Sequence, residues 1–366
     1  MNIDIILPYK EIFSENKASA VSLTVKNSME YSEFKSNINI YGQNTSNSFS
    51  PGHFKGINVN RFLHFSKNKS IFLNYLSSNN FESDYKKIIE IHNRPYVFNL
   101  ASKKILNHPI TLHYHNDPRN MKGSKTVKER EYIIKKAAAV YFVSNFIRDC
   151  FLEGIKNSCN NLYVLPNGIQ RRLIKQPKKK NEILFIGRLV PEKGSHLFVN
   201  SIKNIVKNHL DWNFTIIGTA KAGQDKLITA YEKKVIGEFK ALGNNTFYLG
   251  FVKNIEVQEM LKSASILVVP SLWNDPFPLT ALEGLSNGVA IIASKRGGLI
   301  EMLTGKGLLL EDIDENILEK SISNFINNHN LLTNYQNRSW NDYIYNQNDV
   351  SKLQDKIRNQ IFNSYY

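Results

Sequence analysis

Short apolar runs alternate along this chain with longer stretches whose apolar residues recur at helical spacing. This is the pattern of repeated β-α units around parallel sheets. Strands are expected at Ile3 to Leu7, Ile38 to Tyr41, Ile57 to Val59, Ile88 to His92, Ile110 to Tyr114, Val140 to Val143 and Leu162 to Leu165. A second set follows at Ile183 to Ile186, Phe214 to Ile217, Thr246 to Leu249, Ile266 to Val269, Val289 to Ile292 and Leu308 to Leu310. Pro166-Asn167-Gly168, a strong turn signal, separates the two sets. The expected organisation is a domain over 1–168, a basic linker over 169–181 and a second domain over 182–335. The tail over 336–366 has helical spacing from Leu353 onward and is expected to pack back toward the first domain. Gly42 to His53, rich in Asn, Ser and Gly, reads as a mobile loop. Two similar-sized sheets of this type imply an α/β protein of two Rossmann-like domains facing across a cleft.

Composition narrows the class. The 366 residues suffice for two cores, and 42% hydrophobic with 22% charged residues is ordinary for a globular protein. No apolar run approaches the roughly 18 to 20 residues of a membrane helix. MNIDIILPYKE reads as a first buried strand rather than a secretory signal. Cys150 and Cys159 are too few for a disulfide framework, so a cytosolic protein is the simplest reading. The net charge of +15 points to anionic partners. Lys122, Lys125, Lys128, Arg130, Lys135 and Lys136 form one basic cluster, and Arg171, Arg172, Lys175 and Lys178 to Lys180 another. Both are equally well read as solvated surface. No nucleic-acid-binding signature is present, and the charge suits an anionic membrane surface better.

Candidate chemistry concentrates in Ile266 to Glu301. A β-branched run ends at Pro270, a polar loop carries Asp275, a helix-like segment from Leu279 holds Glu283, and a second run leads to Gly297-Gly298. That order places two acids and a glycine pair at the carboxyl ends of parallel strands, the edge where open α/β sheets bind ligands. Amides near Phe277, Leu279 and Thr280 would be free at the helix start to receive an anion. Gly187-Arg188-Leu189-Val190-Pro191-Glu192-Lys193-Gly194 follows the run ILFI and brings two cations to the same edge. There they would neutralise a departing diphosphate. The competing readings are a carboxylate on a helix dipole, a surface glutamate and an ordinary basic loop.

NDPFPLTALEGLSNG, GRLVPEKG and GGLIE together resemble the retaining GT-B glycosyltransferases of family 4 (glycosyl transferases group 1), including lipopolysaccharide and glycogen synthesising enzymes. The family pattern is E-x-F-G-x-x-x-x-E. Here Asp275 replaces the first acid and Pro278 the glycine. The resemblance covers roughly Glu182 to Glu301. It implies that Glu283 binds the nucleotide ribose, Asp275 contacts the donor sugar, and Arg188 and Lys193 hold the diphosphate. Gly187, Phe277, Leu279, Thr280, Val252 and Gly218 complete the expected donor-binding set. The resemblance also implies a histidine near the donor sugar, and His115, at the end of TLHYH, matches best.

Acceptor-side candidates are Ala18, Ser19 and Ala20 after the first strand, where the family usually has glycine, with His92, Asn93, Arg94 and Ser144. His113 and His115 share a face by alternation, but no third ligand has metal-binding spacing, and no metal is expected. Asp312-Ile313-Asp314 reads as helix capping, and Gly305-Lys306-Gly307 lacks the rest of a P-loop. The expected activity is retaining transfer of a sugar from a nucleotide diphosphate-sugar, UDP-sugar foremost, without a cofactor. The acceptor would be a glycan or lipid-linked molecule such as lipopolysaccharide core or O-antigen. The enzyme would be cytoplasmic and peripheral on the inner face of the membrane. The alternatives are another GT-B enzyme, such as a nucleotide-sugar epimerase, and a non-catalytic sugar-nucleotide-binding protein.

Overall fold

The computed structural model describes residues 1–15, 18–59, 67–79, 81, 86–156, 159–221 and 226–366. The chain forms two compact units, Met1–Gly168 with Gln347–Tyr366, and Ile169–Asn346. The first is built on β1 (Asn2–Ile6), β2 (Ile38–Gln43), β3 (Phe54–Ile57), β4 (Lys87–His92), β5 (Ile110–Tyr114), β6 (Ala139–Phe142) and β7 (Leu162–Val164). The second is built on β8 (Lys180–Ile186), β9 (Asn213–Ile217), β10 (Thr246–Gly250), β11 (Ala264–Val269), β12 (Ala290–Ser294) and β13 (Leu308–Leu310).

Both sheets are parallel and doubly wound. Their orders are β3-β2-β1-β4-β5-β6-β7 and β10-β9-β8-β11-β12-β13. Strand order reverses between β1 and β4 in one unit and between β8 and β11 in the other. At such a reversal the flanking loops diverge beyond the carboxyl ends of the strands and leave a crevice. In the second unit β11 and β12 are buried at every position. Helices cover both faces, which is why these strands read as unbroken apolar runs rather than alternating ones. Ile183, Phe185, Phe198, Phe214, Ile216, Val268 and Ile292 share one core. In the first unit Ile3, Ile5, Phe13, Val25, Ile40 and Phe54 form one cluster, and Ile88, Ala139, Tyr141, Ile357 and Ile361 another.

Several expectations shift. The third strand lies at Phe54–Ile57, not at Ile57 to Val59, because Phe54 is the residue that packs inward, stacked on Phe13 at 5.5 Å. Gly42 and Gln43, expected in a loop, finish β2. Lys180 and Asn181, expected in the linker, begin β8. Residues 336–346 belong to the second unit, since Leu332 and Gln336 are buried there and the Tyr343 hydroxyl donates to the Ile169 carbonyl at 2.7 Å. The chain rejoins the first unit at the helix Gln347–Tyr365, whose Ile357 and Ile361 enter that unit's core. No helix among the described residues is long and apolar enough to cross a membrane.

Part of each basic cluster proves structural. Arg130 is buried, and its guanidinium donates to the carbonyls of Ser124 and Lys125 at 3.2 and 3.0 Å. Arg171 stacks on Trp340 at 3.9 Å and donates to the Ser286 carbonyl at 3.0 Å. Lys179 donates to the carbonyls of Leu261, Lys262 and Asn287, and burial pushes its amine down to about 7. These cations satisfy backbone groups rather than facing solvent.

Candidate active site

The second unit's reversal point is built from close backbone contacts. Gly218, at φ +129°, ends β9 so near to Gly187 that a Cβ would lie 2.0 Å from the Gly187 carbonyl oxygen. Gly194, at φ +71°, would likewise place a Cβ 2.0 Å from the Pro270 carbonyl oxygen. This contact sets the turn Pro191–Lys193, which follows β8, against the end of β11. A further bond from the Leu272 amide to the Glu192 carbonyl, 2.8 Å, ties the two loops together.

These contacts bring Lys193 to Asp275. Nζ donates to both carboxylate oxygens at 2.8 Å, and Ser271 Oγ donates to Oδ2 at 2.7 Å. Asp275 is 4% exposed. A lysine ammonium has three N–H groups, so one remains for a phosphate oxygen; the carboxylate's fourth lone-pair site remains for a hydroxyl. The Asp275 loop rests on Gly297 and Gly298, whose Cβ atoms would lie 2.4 and 2.0 Å from the carbonyl oxygens of Asp275 and Pro276. The Gly298 amide donates to the Asp275 carbonyl at 2.7 Å. The glycine pair singled out in the sequence thus supports the acid-bearing loop.

The helix Leu279–Ser286 begins after Pro278 with no side-chain cap and no acid in its first turn. The amides of Leu279, Thr280 and Ala281 therefore lack intrahelical partners and sit at the positive end of the helix dipole. Pro278 occupies the position before the first turn, so its missing N–H leaves those donors intact. Glu283, one turn in, is 8% exposed and accepts from Asn254 Nδ2 at 2.6 Å. Burial pushes its carboxyl up to about 7, against bonds from Asn254 and Gln258 that favour the ion. Gly187, Gly218 and Val252 follow β8, β9 and β10, which in a parallel sheet places all three at the same edge. Arg188 is exposed there. The Phe277 ring is buried edge-to-face on Tyr345 at 5.3 Å, which anchors the loop ahead of the helix start.

The first unit has its own cluster at the ends of β4 and β5. The His92 and His113 rings stack at 4.3 Å, His113 stacks on Tyr141 at 4.2 Å, and His92 Nδ1 lies 2.9 Å from His115 Nε2. Burial holds His92 and His113 well below the usual histidine range and pushes His115 down to about 4, so all three rings are neutral. Asn93, at φ +54°, accepts the His115 amide on Oδ1 at 3.3 Å. Nitrogen and oxygen atoms of Glu90, His92 and His113 lie within 4.8 Å of one another. They do not fit one metal ion. The His92 and His113 rings are 12° from parallel, so their lone pairs run alongside each other rather than converge. Arg358 also occupies both Glu90 oxygens, at 2.9 and 2.8 Å.

The other acceptor-side candidates are largely engaged locally. Ser144 is buried and caps the helix Asn145–Leu152 by accepting the Ile147 amide at 3.2 Å. Ser19 caps the helix Ala20–Glu30 and donates to the Glu11 carboxylate, with Ala18 and Ala20 half-buried and exposed beside it. Burial pushes Glu11 up to about 7, opposed by Arg94. Arg94 itself donates to the Asn93 carbonyl at 2.6 Å. Glu11, Ser271 and Asn254 were not picked out by sequence. Ser271 had a usable signal, a hydroxyl directly beyond a strand end, whereas Asn254 and Glu11 had none.

The two Rossmann-like halves define a GT-B-type α/β fold. Anabaena HepE, whose crystal structure contains UDP and glucose, superposes with a TM-score of 0.72 at 14% identity over 98% of this chain and 100% of that one. Sucrose-phosphate synthase from Thermosynechococcus elongatus superposes with a TM-score of 0.77 at 16% identity over the full length of both chains. In sequence, residues 168–342 match the family model described as glycosyl transferases group 1. An uncharacterised glycosyltransferase of Methanocaldococcus jannaschii is 28% identical over 305 residues, 78% of this chain and 80% of that protein. The lipopolysaccharide 1,2-N-acetylglucosaminetransferase of Salmonella typhimurium is 24% identical over 66% of this chain and 62% of that protein. Together these matches support transferase activity for the chain.

Proposed function

We propose that this protein is a retaining glycosyltransferase of family 4 that moves a sugar from a UDP-sugar to a lipid-linked or glycan acceptor of the lipopolysaccharide core or O-antigen type. The observation that carries this reading is the Lys193–Asp275 pair beside the uncapped start of the helix Leu279–Ser286. It offers one ammonium N–H and three amides to a diphosphate, and a carboxylate lone pair to a sugar hydroxyl. UDP and glucose in the HepE structure support the donor class, and the Salmonella relative's name supports the acceptor class.

In this reading Arg188, Lys193 and the amides of Leu279 and Thr280 stabilise the departing diphosphate, where charge develops as the bond from the anomeric carbon breaks. The acceptor oxygen bonds to that carbon on the same face, and its proton passes to a diphosphate oxygen. Glu283 accepts the ribose hydroxyls, and His115 contacts a hydroxyl of the donor sugar. The exposed lysines of the two basic clusters attract an anionic membrane surface, each contributing on the order of 1 kcal/mol.

A thermal-shift panel of nucleoside diphosphates and their sugars tests the donor, because a ligand of the native state raises Tm by mass action. UDP and one UDP-sugar should raise it. A flat response to every nucleotide overturns the reading. Flotation with phosphatidylglycerol vesicles at low and high salt tests the surface, and salt-independent absence of binding removes that part.

A further inference from the structure

We propose that His92 is a positioning residue, which donates its Nδ1–H to His115 Nε2 and thereby fixes His115 as the tautomer protonated on Nδ1. The inference rests on the proposed glycosyl transfer, in which His115 contacts the donor sugar.

The two ring nitrogens are 2.9 Å apart, and between neutral imidazoles only one can carry the shared hydrogen. If His115 were the donor, the proton of His92 would sit on Nε2. That atom is buried and has no hydrogen-bond partner among the described residues. An orphaned buried N–H is rarer in folded proteins than an under-satisfied acceptor, so donation from His92 is favoured. His115 then carries its own proton on Nδ1, a half-buried ring's second nitrogen with no partner among the described residues. A donor is thus presented where an acceptor would otherwise stand.

The pair is held from both sides. His92 is stacked on His113 at 12° and 4.3 Å, and His113 on Tyr141 at 21° and 4.2 Å, so the rings cannot swing without breaking a ladder across β4, β5 and β6. Glu90, the nearest anion, is taken by Arg358, and its closest approach to His113 Nε2 is 3.8 Å. Burial keeps the rings neutral, which the one-hydrogen argument requires.

Two measurements decide it. Long-range 1H–15N correlation spectra of the full chain read each tautomer directly. The expected result is His115 protonated at Nδ1 with a bare Nε2, and the opposite tautomer or a fast mixture overturns the inference. Second, His92→Phe keeps the stack without the donor, while His92→Asn keeps an N–H near the Nδ1 position. Misplacing a reacting contact costs on the order of 100-fold, so His92→Phe should lose about that in kcat with the Kd for UDP unchanged. His92→Asn should recover most of it. Wild-type kcat in His92→Phe, or equal defects in both variants, refutes the role. Should His92→Phe fail to fold, the spectra and His92→Asn still decide. A wild-type chain that binds no nucleoside diphosphate defeats the transferase reading instead, and leaves the tautomer assignment to the spectra alone.

Discussion

Lys193 Nζ donates to both oxygens of Asp275, 82 positions away in sequence, with 2.8 Å to each. Lys193→Met leaves a buried carboxylate with Ser271 as its remaining partner. Breaking a fully buried pair costs 3–5 kcal/mol, and partial exposure of the lysine lowers the expected loss to about 2–3 kcal/mol. Lys193→Met with Asp275→Asn should regain most of that stability in chemical denaturation while transfer stays abolished. Recovered turnover in the double variant would assign the pair to folding rather than to donor chemistry.

Glu283 gives a pH signature. Its folded pKa of about 7 lies above the ordinary 4.5. The stability it contributes is therefore fully present below about 4.5 and is lost as pH rises through 7. Glu283→Gln removes the titration, so it should gain on the wild type by about 3 kcal/mol between pH 4.5 and 8. Donor affinity should move the other way in the wild type, strengthening toward pH 8 as the carboxylate ionises to accept ribose hydroxyls. Parallel denaturation curves for both proteins across that range would refute the burial argument.

Gly298→Ala puts a Cβ 2.0 Å from the Pro276 carbonyl oxygen. Backbone meets backbone there, so the Asp275 loop must shift. The expected cost is roughly 2–4 kcal/mol, with weakened nucleotide binding. Calorimetry showing wild-type affinity in this variant would mean that the loop does not hold the donor.

Arg358→Met exposes the opposite vulnerability, in the first unit. Arg358 is 1% exposed and bonds both Glu90 oxygens and Asp355, so its loss strands the buried Glu90 carboxylate and leaves Asp355, among the described residues, only the Ser32 hydroxyl and the Glu33 amide. A loss of about 3–5 kcal/mol is expected. Adding Glu90→Gln should recover part of it, since the uncompensated charge is the main cost. Thermal denaturation of the single and double variants checks this.

The fold was legible wherever burial was two-sided. Ile266 to Val269 and Val289 to Ile292 read as strands because helices cover both faces of β11 and β12. Phe54 escaped because a single inward aromatic leaves no periodic run. The boundary at 336 was placed early because the aromatic composition of 336–346 resembles the terminal helix, while Tyr343 in fact bonds Ile169 of the second unit. At the site, Gly187, Lys193, Asp275, Gly297 and Gly298 stood out because loops at strand ends must supply both charge and tight backbone. The packing of the Phe277 ring on Tyr345 was not legible, because a motif marks a residue's place and not the direction of its ring. Asn254 on Glu283, and Arg358 on Glu90 at a separation of 268, were invisible because nothing local announces a partner so remote.

The helix Gln347–Tyr365 supplies Ile357, Ile361 and Arg358 to the core of the unit that begins at Met1. During translation, the stretch Ile169–Asn346 is therefore synthesised in full while the earlier-begun unit still lacks its final helix. The unit begun first is completed last, and Glu90 must wait for a guanidinium 268 positions further along the chain.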